Sequence, residues 1–212
     1  MFGNMPSLQQ MVMSLLAFLI GITVHEYAHA RAALAAGDDT AKRQGRISLN
    51  PLDHLDPLGT LMFFATMLYG FGLAWGKPVP VDPYNFKSPR WDPLKVSAWG
   101  PLSNLITAFV LALLLRFLVV PFAPAYFSLV SMCIIFNLAL AFFNMIPIAP
   151  LDGSKVLSSL LPVEQARKYD FAMARYGMLI LMVILITGIA GAIIGPPIML
   201  LFRLLMRVGV GG

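Results

Sequence analysis

Met11-Val12-Met13-Ser14-Leu15-Leu16-Ala17-Phe18-Leu19-Ile20-Gly21-Ile22-Thr23-Val24 runs without a charge straight into His25-Glu26-Tyr27-Ala28-His29. The uncharged part has the length and composition of a helix entering a bilayer, and the helix can extend from about Ser7 to Ala36 before Gly37 ends it in a polar stretch. An ionisable cluster that continues an apolar helix costs a few kcal/mol per charge unless it is paired or coordinated. The spacing supplies the compensation. Residues at i and i+4 project from one helix face a turn apart, so His25 and His29 can offer two imidazole nitrogens to one ion. Glu26, beside the first of them, can take a proton from a metal-activated water. The rival reading is a helix that simply emerges into water with two interfacial histidines, which accounts for neither the spacing nor a second site further along.

The remainder of the chain agrees with a lipid solvent. Of its 212 residues 58% are hydrophobic and only 12% charged, with a mean hydropathy of +0.79, too apolar for an ordinary soluble domain. Residues 117–151 and 176–202 carry no charged side chain, and each exceeds the roughly 20 residues that cross a bilayer core. The first basic residue is Arg31, well after the first apolar run, so the first helix is expected to stay in the mature protein and not to act as a secretory signal. A net charge of +5 and a pI near 9.6 come from basic residues spread over the connections between apolar segments, a positive-inside pattern and not a nucleic-acid surface. A single cysteine, Cys133, excludes an intramolecular disulfide and a Cys-rich metal cluster.

Further apolar segments are expected at residues 58–75, 96–115, 125–146 and 176–206, the last broken in two by Gly195-Pro196-Pro197. Residues 46–49, Arg-Ile-Ser-Leu, read as a short strand stopped by Asn50-Pro51, and residues 77–93 as a Pro-rich extended connection. The expected fold is an all-α integral membrane bundle of five to six apolar segments, one domain over residues 1–212, with a small β-like element near the active site. Charge sets the topology. With the first helix ending inside, Lys42, Arg43, Arg46, Lys155, Arg167, Lys168 and Arg175 are cytoplasmic and Arg116 is outside. Both flanks of segment 58–75 are basic, so we expect it to dip into the membrane and return to the same side. The protein would then be multi-pass, in the cell membrane, with its site nearer the cytoplasmic face.

The second site is Asn144-Met145-Ile146-Pro147-Ile148-Ala149-Pro150-Leu151-Asp152-Gly153. Two prolines end the preceding membrane helix, leaving backbone that tolerates this depth only when buried in protein or facing a water-filled cavity. In the topology above, Asp152 lies at the same end as His25 and His29. A catalytic zinc takes three protein ligands plus water, and Asp152 supplies the missing oxygen for one Zn2+ ion. Its alternative role is an N-cap for a helix beginning near Ser154.

These motifs resemble the site-two proteases, intramembrane zinc metalloproteases. His25-Glu26-x-x-His29 is similar to that family's metal-binding helix, Gly100-Pro101-Leu102-Ser103-Asn104 to its Gly-Pro-x-x-Asn helix, and Asn144 through Gly153 to its Asn-x-x-Pro-x-x-Pro-x-Asp-Gly segment. The segments from Arg46 to Pro57 and from Trp75 to Phe86 resemble a compact branch without an inserted PDZ domain. The resemblance implies zinc on His25, His29 and Asp152, Glu26 as general base, and Asn144, with Asn104, holding substrate or an oxyanion. The implied partners are a membrane protein or peptide substrate and the lipid bilayer. Two readings stand for His54: a proton donor, oxyanion stabiliser or alternative ligand, or a loop histidine hydrogen-bonded to Asp53 or Asp56. Two other functions share the motif: a metal transporter, for which the repeated halves usual in such proteins are missing, and a catalytically silent scaffold.

Overall fold

A computed structural model describes residues 6–69, 74–117 and 124–210. Gly70 and Gly72 and part of the uncharged run 117–151 lie outside those residues. Helix α1 (Leu8–Ala36) begins where Ser7 and Gln10 exchange side-chain and backbone hydrogen bonds, a capping box, and ends at Gly37, whose φ of 110° is a left-handed conformation suited to glycine. After the short α2 (Thr40–Arg43) come α3 (Pro57–Tyr69), α4 (Trp91–Phe117), α5 (Pro124–Asn144), α6 (Asp152–Leu160), α7 (Val163–Ile186) and α8 (Ile189–Val210). Helices α1, α4, α5, α7 and α8 are long and apolar enough to cross a membrane, so the chain is an all-α bundle of the membrane type, a multi-pass protein.

Small residues set how the bundle closes. Helix α1 packs against both α4 and α5. A Cβ on Gly21 would press on Leu140 of α5 at 2.6 Å. Among α4, α5 and α8, the fully buried Ala108 and Ala112 let Ile134 and Leu138 approach, with Ile198 and Leu205 closing the cluster. Lipid offers no hydrophobic drive between helices, so such close contact is what association has to draw on. Helix α7 turns the other way. Met178, Leu179, Met182, Val183 and Ile186 are exposed along it, an apolar face whose natural solvent is acyl chain.

Helix α3 has 13 residues, about 20 Å at 1.5 Å per residue against a hydrocarbon core of about 30 Å. It leans on α1 through Phe63, which stacks on Phe18 at 4.7 Å between ring centroids. The chain that leaves at Leu55 is back at Gly76. The two form an antiparallel bridge, and Lys77 N–H donates to the His54 carbonyl at 2.8 Å. The segment therefore goes out and returns to the same end of the bundle.

Two expectations need correction. Residues 46–49 are irregular backbone among the described residues, not a paired strand, and the Leu55–Gly76 bridge is the nearest β-like feature. The Arg46 side chain donates to the Lys77 carbonyl at 2.8 Å and His54 to the Ser48 carbonyl at 2.8 Å, so side chains make contacts that a strand ladder would have made. The break in the last apolar segment falls at Thr187-Gly188, not at Gly195-Pro196-Pro197. Gly188 takes a φ of 75° and turns the chain, whereas Pro196 and Pro197 sit inside α8. A proline within a helix removes one hydrogen bond and crowds the carbonyl four residues back, which kinks a helix held by neighbours without ending it.

Candidate metal centre

His25 and His29 are both buried on α1, one turn apart, and each ring is fixed from behind. His29 Nδ1–H donates to the Val96 carbonyl of α4 at 2.8 Å. His25 Nδ1–H donates to Asn104 Oδ1, also of α4, at 2.7 Å. The orientation of the Asn104 amide is set by its other end, which donates to the Gly21 carbonyl and to Asn137 Oδ1, each at 2.9 Å. Asn137 in turn donates to the Cys133 carbonyl. With Nδ1 carrying the proton in both rings, each Nε2 presents a lone pair inward. Gly100 makes room for this, because a Cβ there would fall on both imidazoles.

Asp152 completes the convergence. It is the first residue of α6, whose N-cap position is Leu151, so the N-cap role does not apply. Its Oδ2 lies 3.1 Å from His25 Nε2 and 3.2 Å from His29 Nε2, and the two Nε2 atoms are 3.0 Å apart. The connector from α5 brings it there. Tyr169 of α7 donates to the Pro147 carbonyl at 2.8 Å, and Gly153 tucks under the Met145 carbonyl. Burial pushes the Asp152 carboxyl up, but with positive charge on the imidazole side, from a shared proton or cation, hydrogen bonding and attraction outweigh burial and hold it well below the usual carboxylate range. It therefore offers an anionic oxygen.

Three electron-pair donors this close, two of them on buried rings, repel one another unless a proton or cation lies among them. Two imidazoles and a carboxylate suit zinc, and ligands about 2.1 Å from a tetrahedral zinc stand roughly 3.4 Å from each other. The observed separations are a few tenths of an ångström from that value, and the donor set fits the ion. Among the described residues, His25, His29 and Asp152 are the one group of three metal-ligating side chains found together.

The other expected site residues are held by different partners. The Glu26 carboxylate accepts a hydrogen bond from Val79 N–H at 2.8 Å. Asn144, the last residue of α5, donates to the Leu140 carbonyl at 3.0 Å. Asn104 is fully buried behind His25, with its amide hydrogen-bonded to protein partners. His54 is also fully buried and bonds to the Ser48 carbonyl, not to Asp53 or Asp56, while the Asp56 carboxylate accepts from Gly59 N–H at the start of α3. Three contributors were not singled out from sequence: the Val79 N–H, the Val96 carbonyl and Asn137. Only Asn137 carried a signal, an amide in the middle of an apolar helix.

The family model described as Peptidase family M50 matches residues 120–188. A Bacillus subtilis protein named "Putative zinc metalloprotease YwhC" is 37% identical over 188 residues, covering 85% of this chain and 83% of its own. "Putative zinc metalloprotease Rip2" of Mycolicibacterium smegmatis is 27% identical over 176 residues, 83% of this chain and 67% of its own. The protein of the same name from Mycobacterium tuberculosis is 31% identical over 159 residues, 74% of this chain and 60% of its own. No solved structure gives a match.

Proposed function

The chain belongs to peptidase family M50, and we propose from that premise that it is an intramembrane zinc metalloprotease cutting membrane proteins within or beside the bilayer. The observation that carries this reading is the meeting of His25, His29 and Asp152 within 3.2 Å, on elements of a bundle whose helices are apolar enough to span. Zinc bound there supplies the Lewis acidity that polarises a peptide carbonyl and activates water.

The chain's own groups do the rest. Glu26, next to His25, accepts the proton of the attacking water and delivers it to the leaving amine. Asn144, at the end of α5 and close in sequence to Asp152, stabilises the oxyanion of the tetrahedral intermediate. A substrate must present an extended segment, since helical hydrogen bonds shield the scissile carbonyl. The basic connections at this end of the bundle favour a cytoplasmic site in the cell membrane, reached by water from that leaflet.

Glu26→Gln tests the reading because it removes the base and keeps the shape. The purified variant should bind zinc at the wild-type stoichiometry while its kcat falls by at least about 10²-fold, the lower range for loss of a general base. A Glu26→Gln protein that cuts a membrane substrate at the wild-type rate would refute the assignment.

A further inference from the structure

Residues 75–87 run back along α1 from the metal centre toward its C-terminal end, and they form a strap with few backbone donors to spend. Pro78 and Pro80 have no N–H. Lys77 N–H goes to the His54 carbonyl and Val79 N–H to Glu26 Oε2, both at 2.8 Å. The strap is fixed on both sides of Val79. Upstream, Gly76 bridges to Leu55, and Arg46 donates to the Lys77 carbonyl at 2.8 Å. Downstream, Asp82 N–H donates to Asp38 at 2.7 Å and Lys87 N–H to the Ala36 carbonyl at 3.0 Å. The Val79 side chain itself is buried against Ala30 and Ala41.

We propose that the Val79 N–H is a positioning group that holds the Glu26 carboxylate in its working orientation, and that Arg46 and His54 are positioning residues acting through the strap. This rests on Glu26 being the base proposed above. A glutamate on a helix has three side-chain torsions to order, and a base that must reach a water beside the metal loses rate when its carboxylate wanders. One hydrogen bond from an anchored amide removes most of that freedom. It also leaves the second carboxylate oxygen to take the proton. His54 then has a role that needs no contact with substrate: buried, with Nε2 on the Ser48 carbonyl and its own carbonyl on Lys77 N–H, it ties the 46–54 connector to the strap. Arg46 closes the same circuit from the other side.

The test compares Val79→Pro, which deletes this donor, with Val81→Pro, which puts the same ring two residues on where no Glu26 bond is lost. Both are assayed as full-length protein in detergent micelles on fluorescently labelled β-casein, an unstructured chain, with zinc content measured on the same samples. Val79→Pro is expected to lose about 10-fold or more in kcat with KM and zinc content unchanged, and Val81→Pro to stay within about twofold of wild type. The midpoint of thermal unfolding gives a second arm independent of turnover. Val79→Pro should lower it in the wild-type background and not in Glu26→Leu, whose side chain accepts no hydrogen bond, whereas Val81→Pro should act alike in both. Equal kcat for the two proline variants, or equal thermal shifts for Val79→Pro in both backgrounds, overturns the positioning role. An active Glu26→Gln protein instead overturns the underlying assignment of the base.

Discussion

Asn104 makes three hydrogen bonds with a side chain that never meets solvent, and one of them fixes the ring of His25. Partners of this kind set the tautomer and raise ligand basicity, and their loss typically weakens metal affinity 10- to 100-fold. Asn104→Leu is therefore expected to weaken zinc binding by about that factor, measured by competition with a chromogenic chelator, while the spectrum of the folded helices is retained. Unchanged affinity would mean that His25 needs no support from α4. The histidine pair was legible in sequence because four-residue spacing on a helix is local geometry. Asp152 was legible through the shortage of one ligand. The place of Asn104 was not, since the Gly-Pro-x-x-Asn pattern shows a polar group on α4 but not that its amide turns back toward α1. His54 admits two readings in sequence for the same reason: both of its partners, at Ser48 and Lys77, are backbone groups that no side-chain pattern reveals.

At the scale of elements, the short α3 agrees with the hairpin that the basic flanks of segment 58–75 lead one to expect. A crossing helix would put Lys42 and Lys87 on opposite faces of the membrane. The Leu55–Gly76 bridge returns the chain to where it started, and Lys87 N–H reaches the carbonyl of Ala36 at the end of α1. Single cysteines at 42 and 87, in a Cys133→Ala background, are expected to react with a membrane-impermeant maleimide from the same side of sealed vesicles; labelling from opposite sides would reject the hairpin. Hydropathy located the long helices well because a spanning segment must satisfy its backbone internally. It misplaced the α7–α8 turn because Gly-Pro-Pro is a strong breaker only where water can take the freed carbonyls. Within a helix packed on α4 and α5 the bend is absorbed, and a lone glycine able to adopt positive φ made the turn instead.

For the whole molecule, composition implied a lipid-facing exterior, and the exposed aliphatic face of α7 agrees. What composition could not convey is which helices come together. The metal centre draws on α1, the first residue of α6, and the supporting face of α4, elements separated by long stretches of chain. Their meeting depends on the small-residue contacts of Gly21, Gly100 and the α4 alanines, whose meaning appears only once a neighbour is present. The function proposed here stands on that assembly holding an ion. The most direct measurement is zinc stoichiometry and affinity of the purified protein beside Asp152→Ala. One zinc per chain in the wild type, with affinity lowered at least about 10-fold in the variant, is the outcome expected of a carboxylate in the coordination shell. Equal zinc affinity in the two proteins would contradict it.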